Sequence, residues 1–115
     1  MIGKHPTVPA IDIGVDQWRI VQGILHRIVP QYEIWAFGSR AKWTAKDYSD
    51  LDVAIITEQP LPLDVTAALT DEFSNSDLPW KVDVVDWSVT SESFKAVIAA
   101  HKVVIQERAG RSDRE

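Results

Sequence analysis

Two aspartates separated by one residue, Asp50 and Asp52, lie at the start of an apolar run. Asp50 directly precedes the run LDVAII, and Asp52 is its second residue. This run predicts a β-strand, in which alternate side chains point to the same face. The two carboxylates would then lie side by side, with their Cα atoms roughly 6.5–7 Å apart. Both could bind one divalent cation such as Mg²⁺, which takes oxygen ligands at about 2.0–2.1 Å. The alternative is that Asp50 caps a turn after Ser49 while Asp52 faces water.

A second candidate is the pair Gly38-Ser39, which directly follows the apolar and aromatic run YEIWAF. A glycine at the turn from strand to helix lets the backbone approach a ligand closely. The free N–H groups of the following helix, together with the Ser39 hydroxyl, could bind a phosphate group. A plain turn in which Ser39 caps the helix is the alternative interpretation.

Three basic residues follow this turn within seven positions: Arg40, Lys42 and Lys46. A triphosphate bound beside a carboxylate-held metal would need such a local positive patch. A solvated helix face would explain the same three residues without any ligand. The bases therefore favour a phosphate site only in combination with the neighbouring motifs.

A third carboxylate is expected from the run KVDVVDW, where Asp83 lies between Val82 and Val84. An aspartate in the middle of β-branched residues is poorly placed for packing. Asp86 lies three positions further on and therefore points to the opposite face of the strand. We prefer Asp83 as the partner of the Asp-x-Asp pair, because Asp86 can meet water or cap the next turn. A structural role for Asp83 is the alternative.

Composition limits the kinds of protein that could contain these residues. A chain of 115 residues allows one domain with one core. The net charge of -5 argues against a general nucleic-acid binder, and the lack of cysteine excludes a disulfide scaffold, a zinc ribbon and a thiol nucleophile. The three histidines match no zinc-ligand spacing. No apolar run reaches ~18 residues, so we expect no membrane span and a cytoplasmic protein.

Helical and strand periodicities alternate along the chain. Asp16 is the expected N-cap of the first helix, and Pro30 should end it. We expect a single α+β (mixed α/β) domain over 1–115, with one mixed sheet of about four strands and helices packed on it. Residues 1–12 should form an extended arm and 109–115 a flexible tail. The sequence predicts helices over 16–29, 63–75 and from Ser91 to about 101, a short helix after Gly38, and strands over 32–37, 51–56, 81–87 and 103–105.

The Gly-Ser turn, the Asp-x-Asp pair and the distal aspartate together indicate a protein family more specifically than any one of these motifs does. A Gly-Ser turn, ten further residues, Asp-x-Asp at a strand start and a distal aspartate in an apolar strand resemble the nucleotidyltransferase fold of the polymerase β superfamily. The segments AFGSRAKWTAKDYSDLDVAI and VDVVDW, without a second domain, are most similar to its minimal nucleotidyltransferase (MNT) branch. The resemblance covers roughly residues 16–106.

The resemblance implies a site in which Gly38, Ser39 and Arg40 bind the nucleotide triphosphate. It also implies Mg²⁺, with two ions, held by carboxylates that serve as metal ligands and catalytic residues. The distal aspartate would in addition help to deprotonate the attacking hydroxyl. The implied carboxylates are Asp50, Asp52 and Asp83.

The same resemblance implies a biological role. MNT proteins are often paired with a HEPN protein, a helical ribonuclease toxin, and act as antitoxins that transfer AMP from ATP to a tyrosine of that toxin. We therefore expect a HEPN toxin and ATP as partners, and no direct contact with nucleic acid or membrane. Two alternatives stay open: an antitoxin that neutralises the toxin by binding alone, and a small-molecule nucleotidyltransferase of the aminoglycoside-modifying kind.

Tryptophan is abundant, with five residues, and most of them are expected in the core or at an interface. Trp43 is the one that falls between the Gly-Ser turn and the Asp-x-Asp pair. It either lines a nucleotide or partner surface or packs in the core.

Overall fold

Four strands and four α-helices alternate along residues 7–109, the part of the chain that this computed structural model describes. A short 3₁₀ turn precedes the last helix. The order of elements and the mixed α/β class predicted from the sequence are confirmed. The elements are α1 (Val15–Ile28), β1 (Glu33–Phe37), α2 (Ser39–Lys42), β2 (Leu51–Ile56), α3 (Leu63–Ser74), β3 (Val82–Asp86), the turn Trp87–Val89, α4 (Glu92–Ala100) and β4 (Val103–Gln106).

The strands form one mixed sheet in the order β3-β2-β1-β4. β2 is antiparallel to β1 and parallel to β3, and α3 makes the crossover that a parallel pair requires. This register places Asp52 between Phe37 on one neighbouring strand and Asp83 on the other. The sheet topology therefore brings the two distant acidic motifs together.

The central strand β2 explains why the sheet forms here. Leu51, Val53 and Ile55 are fully buried on the face covered by α1 and α3. Ala54 is fully buried on the opposite face, where α4 packs. Each buried aliphatic side chain of this size contributes about 1.5–3 kcal/mol relative to exposure. Asp52 is half-buried because it stands at the edge of this core, on the α4 face.

The helix α1 packs the predicted apolar stripe against the sheet. Trp18, Val21 and Leu25 are buried, as the helical spacing indicated. The predicted N-cap is wrong, because the helix begins at Val15 and its cap is Gly14, whose N–H donates to Gln17 Oε1 at 3.0 Å. Asp16 instead lies in the first turn, where its negative charge interacts favourably with the positive end of the helix dipole.

The other predicted cap is confirmed, since Ser91 Oγ accepts a hydrogen bond from Phe94 N–H at 3.2 Å and α4 begins at Glu92. Beneath this helix, Ile98 packs on Phe37. Trp35 and the tryptophan of the 3₁₀ turn meet edge to face nearby, with ring centroids 5.0 Å apart. This second, smaller core fixes α4 over the half of the sheet that carries Asp52.

The predicted arm and tail fall largely outside the described residues. Within the described part, Ile11 is buried and Asp12 N–H donates to Arg40 O at 2.8 Å, so this stretch packs on the domain. Ala109 N–H donates to Pro30 O at 2.9 Å. In residues 7–109 no helix combines the length and apolarity needed to cross a membrane.

Candidate active site

The carboxylates of Asp52 and Asp83 belong to neighbouring parallel strands and occupy opposite positions in the register. Both side chains lie on the α4 face, the face of Ala54 and Val85, because residues of equal parity share a face. Asp52 is half-buried and Asp83 is exposed. Within residues 7–109, neither carboxylate accepts a hydrogen bond or forms an ion pair.

This crowding changes the protonation of Asp52. Its pKa is raised from 3.8 to about 6, mainly by burial and in addition by the negative charges of Asp83 and Asp50. A carboxylate in this position is unfavourable without a cation, because desolvation and like charge both oppose ionisation. The chemistry of the donor set, hard oxygens with excess negative charge, fits a divalent cation such as Mg²⁺.

Asp50 takes a position different from the one expected. It precedes β2 and its charge is felt by Asp52, but it lines a larger groove beside α3 rather than the cavity of the carboxylate pair. In the described part of the chain, no three carboxylate or imidazole groups converge closely enough to form a metal site unaided. Asp52 and Asp83 line the cavity, Asp50 and Asp83 line the neighbouring groove, and the joint role of the three as metal ligands stays a prediction.

Gly38 is required where β1 turns into α2. Its φ of 78° lies in the region that side chains rarely adopt. A Cβ at this position would overlap Asp52 Oδ2 and lie 3.2 Å from Asp52 Cγ. Gly38 is also the N-cap of α2, so the alternative in which Ser39 caps the helix is wrong. Ser39 is half-buried and its hydroxyl makes no hydrogen bond within residues 7–109, which leaves that hydroxyl available to a ligand.

These groups line one cavity of about 480 Å³. Its floor holds the glycine turn and the two carboxylates, and Lys42 supplies a positive charge at its side. Residues of α4 and His101, which follows it, form the rest of the lining. The lining residues are Phe37, Gly38, Lys42, Asp52, Asp83, Phe94, Val97, Ala100 and His101.

Arg40 does not take the nucleotide-binding position predicted for it. Only 5% of its surface is exposed, and its guanidinium donates to four backbone carbonyls. Nε donates to Ser49 O at 3.0 Å and Nη1 to Asp12 O at 2.9 Å. Nη2 donates to Asp47 O at 3.1 Å and to Lys46 O at 3.3 Å. These bonds occupy the guanidinium, so Arg40 is a structural residue.

The environment of Arg40 has a consequence for the site. Its guanidinium lies 4.5 Å from the centre of the buried Trp80 ring, a favourable cation–π contact. Three of the four carbonyls that it binds belong to the segment between α2 and β2, which leads into Asp50. Arg40 therefore holds the segment that leads into Asp50, and it does not line the cavity of the carboxylates.

Asp86 is satisfied by the protein itself, as its place at the strand end indicated. Its Oδ1 accepts from Thr57 Oγ1 at 2.5 Å and from Ser88 N–H at 3.1 Å, and its Oδ2 accepts from Leu61 N–H at 2.8 Å. The pKa of Asp86 is lowered: partial burial acts to raise it, but the hydrogen bonds together outweigh burial. Of the two β3 aspartates, only Asp83 can face a ligand.

The α4 wall was not anticipated from the sequence. Phe94 and Val97 are apolar but 40% and 61% exposed, and His101 was considered only as a zinc ligand. Their spacing of three and four residues places them on one helix face. That spacing was visible in the sequence, but it is also what a core-facing helix shows, so it did not indicate a site.

Trp43 is not a core residue. It is 60% exposed, has a φ of 63°, and its indole N–H donates to Ala10 O at 3.3 Å. It is not among the residues that line the 480 Å³ cavity. Its position is compatible with a surface role outside the cavity, and the expectation that it contacts nucleotide or partner stays a prediction.

The family follows from comparison with known sequences. The sequence model described as "Polymerase beta, Nucleotidyltransferase" matches residues 27–111. The chain belongs to this nucleotidyltransferase family. A curated relative, the "Probable protein adenylyltransferase MntA" of Haemophilus influenzae, is 52% identical to this nucleotidyltransferase over 98 residues, which cover 85% of this chain and 86% of the relative.

Solved structures share the fold of this nucleotidyltransferase. A toxin–antitoxin crystal structure with AMP-PNP superimposes with a TM-score of 0.64 at 23% identity, covering 76% of this chain and 70% of that one. A toxin–antitoxin MntA-HpeT structure that carries a Tyr→Ala substitution gives a TM-score of 0.63 at 21% identity, covering 79% and 72%. At these identities the likeness establishes the fold.

Proposed function

We propose that this nucleotidyltransferase is an antitoxin that transfers AMP from ATP to a tyrosine hydroxyl of a HEPN ribonuclease toxin, with two Mg²⁺ ions. The observation that carries the proposal is the pair Asp52 and Asp83, side by side without a protein partner in the cavity where Gly38 makes room. The similarity to a protein adenylyltransferase supports the reaction type. The toxin–antitoxin structures of the same fold, one with AMP-PNP, support the partner and the nucleotide.

The triphosphate would bind at the start of α2. Gly38 exposes its backbone there, and the Ser39 hydroxyl is free to donate to a phosphate oxygen. Lys42 lines the same cavity and adds a positive charge next to two acids. Arg40 is left out of this set, because its guanidinium is occupied by backbone carbonyls.

The metal ligands would be Asp52 and Asp83, with Asp50, which lines the adjoining groove together with Asp83, as the third. Bound Mg²⁺ would neutralise the phosphates and the attacking and leaving oxygens. Asp83, exposed at the edge of the sheet, would accept the proton of the acceptor hydroxyl. The hydroxyl oxygen would then bond to the α-phosphorus, the bond from that phosphorus to the β-phosphate bridging oxygen would break, and pyrophosphate would leave.

The acceptor would come from another chain. Residues 7–109 form one sheet with its helices and contain no second lobe to hold an acceptor. The net charge of -5 disfavours nucleic acid as the acceptor but complements the basic surface that an RNA-cleaving toxin needs. We place this reaction in the cytoplasm, where ATP and such a toxin would meet.

The test is intact-mass spectrometry of a candidate HEPN toxin partner after incubation with the protein, ATP and Mg²⁺. We expect the toxin to gain the mass of one or more AMP units on tyrosine. Asp52→Asn and Asp83→Asn should each lower the transfer rate by about 10³-fold, in the range of losing a main electrostatic element of an active site. The matched control is Asp64→Asn, an exposed aspartate on α3, which should transfer at the wild-type rate.

Each outcome decides between the classes of function. A toxin that stays unmodified by the wild-type protein overturns the proposal. If that unmodified toxin is nevertheless neutralised, and equally by Asp52→Asn, the protein is an antitoxin by binding alone. Modification of an aminoglycoside in place of the toxin would identify a small-molecule enzyme.

A further inference from the structure

β3 is an edge strand, so one side of its backbone has no strand partner in the described structure. Leu51 N–H donates to Lys81 O at 2.9 Å, which shows that the backbone groups of Lys81 point toward β2. Backbone N–H and C=O groups alternate in direction along a strand. The N–H and C=O groups of Val82 and Val84 therefore point away from the sheet.

The open part of this edge is short. The next outward carbonyl, that of Asp86, already accepts from Thr90 Oγ1 at 2.7 Å. For Val82 and Val84, no hydrogen bond of the outward N–H and C=O groups is found among residues 7–109. What remains unpaired is therefore the segment 82–84, and its central residue is Asp83.

A groove runs along this open segment. Its volume is about 840 Å³, and it is lined by residues of α3, of β3 and of the segment that precedes β3. We call it the edge groove, and its principal residues are Thr70, Phe73, Trp80, Val82 and Val84. Asp50 and Asp83 also line it, and Asp83 lines the 480 Å³ cavity as well, so the groove and the cavity meet at Asp83.

We propose that an extended segment of the acceptor protein lies in the edge groove, pairs with Val82 and Val84, and presents its hydroxyl residue beside Asp83. This inference rests on the proposed function, since it concerns how the acceptor reaches the site. The four outward backbone groups match a ligand with donors and acceptors at strand spacing. A polypeptide strand has that pattern, whereas a nucleotide or an aminoglycoside does not.

The parity of the strand explains why this pairing would place the acceptor correctly. Side chains that face each other across paired strands lie on the same face, with Cβ atoms about 4.5–5.5 Å apart. A residue paired opposite Asp83 would therefore extend onto the α4 face, next to the carboxylate pair. Its two neighbours in the segment would face Val82 and Val84 in the groove. We expect an acceptor sequence in which the hydroxyl residue is flanked by apolar side chains.

Amide hydrogen exchange tests the pairing directly, with the full-length protein and the HEPN toxin. In the free protein, the amides of Val82 and Val84 should exchange at least 10-fold faster than those of Asp83 and Val85, which point to β2. Addition of the toxin should slow the two outward amides by at least 10-fold. A complex that forms while these amides exchange at their free rates overturns the inference.

Substitutions test the same surface through transfer kinetics. Val84→Pro removes an outward N–H that makes no sheet hydrogen bond, so β3 should keep its pairing to β2. Thr70→Trp fills the edge groove from α3 without altering β3. Both should raise the KM for the toxin by about 10-fold or more while the affinity for ATP and Mg²⁺, measured by calorimetry, is retained. The control of equal size is Ala67→Trp, at an exposed α3 position outside the groove.

The two proposals fail in different ways. If the toxin is never modified but still protects the amides of Val82 and Val84, the proposed reaction is wrong and the docking surface stands. If Thr70→Trp and Ala67→Trp transfer AMP with the same KM for the toxin, the acceptor arrives elsewhere and the reaction stands. Because Thr70→Trp leaves the strand intact, this result does not depend on whether Val84→Pro folds.

Discussion

The two aspartates of β3 lie three residues apart and have opposite surroundings. Asp86 accepts hydrogen bonds from Thr57, Leu61 and Ser88, and its pKa is lowered. At the other end of the strand, Asp83 is exposed beside Asp52, whose pKa is raised to about 6. One end of β3 thus stabilises its carboxylate with protein donors, while the carboxylate at the other end has no hydrogen-bond donor among residues 7–109. The first arrangement maintains the fold, and the second is suited to a ligand.

The buried Arg40 is the cationic counterpart of Asp86, and removing it should have the largest effect on stability. Arg40→Leu leaves four backbone carbonyls without their donor and removes the contact with Trp80. We expect the free energy of unfolding to fall by about 3 kcal/mol or more, because each unpaired buried acceptor costs about 1–3 kcal/mol when water does not reach it.

Urea unfolding measures this loss, and Arg19→Leu is the control because Arg19 is an exposed arginine of α1. That control should change the free energy of unfolding by less than about 0.5 kcal/mol. A loss below 1 kcal/mol for Arg40→Leu would show that Arg40 is not a structural residue. Arg40 would then again be a candidate for nucleotide binding, as its position after the Gly-Ser turn first indicated.

The satisfied end of β3 gives the next largest effect. Asp86→Ala should lower the free energy of unfolding by about 2 kcal/mol, since the Leu61 and Ser88 amides lose a charged acceptor. Asp77→Ala, at an exposed position, serves as the control and should cost less than about 0.5 kcal/mol. Equal stability of the two variants, measured by thermal unfolding, would remove the contrast between the two ends of the strand.

Acid unfolding gives the sign of the same interaction. Because the pKa of Asp86 is lowered in the folded protein, its stabilisation is complete above the ordinary value of 3.8. It is lost as the pH falls from 3.8 through the folded-state pKa. The stability difference between the wild-type protein and Asp86→Asn should therefore shrink over that range. A difference that stays constant below pH 3.8 would mean that the charge of Asp86 contributes nothing.

The sequence was sufficient for the parts of the fold that depend on local pattern. The apolar run of β2 predicted its bounds, 51–56, without error, and the Ser91 cap of α4 was found because a serine before a helical stripe has one common use. The N-cap of α1 was misplaced, because the cap residue is Gly14, whose own N–H donates to the Gln17 side chain. Glycine gives no side-chain signal for such a role.

The site was predictable to the extent that strand parity determined it. Parity was enough to separate Asp83 from Asp86, and the parallel register then placed Asp83 beside Asp52. Arg40 was assigned to nucleotide because it follows the Gly-Ser turn. Its actual contacts, with Asp12 far back in the chain and Trp80 far ahead, depend on tertiary packing that no local pattern contains. The roles of the three acids in catalysis stay predictions.

Removing the charge of Asp52, which has no donor, gives the smallest effect on the free energy of unfolding, and this effect is stabilising. In EDTA at pH 7, Asp52→Asn should be more stable than the wild-type protein by about 1 kcal/mol, because the amide removes a charge that the folded state disfavours. The pKa of Asp52 is about 6 in the folded protein, compared with the ordinary value of 3.8 for the unfolded chain. The wild-type protein therefore loses stability as the pH rises from 3.8 to 6. The advantage of Asp52→Asn should therefore be complete above about pH 6 and absent below pH 3.8.

The same variant connects stability to the ligand. Mg²⁺ that binds only the folded protein raises stability in proportion to the logarithm of its concentration over its dissociation constant. Titration with Mg²⁺ and ATP should therefore raise the melting temperature of the wild-type protein and leave that of Asp52→Asn nearly unchanged. The order of stability of the two proteins would then reverse along the titration. Asp64→Asn, which keeps the carboxylate pair, should follow the wild-type protein throughout. If Asp52→Asn is already the less stable protein in EDTA, Asp52 is held by contacts within the protein, as Asp86 is, and the contrast between them fails.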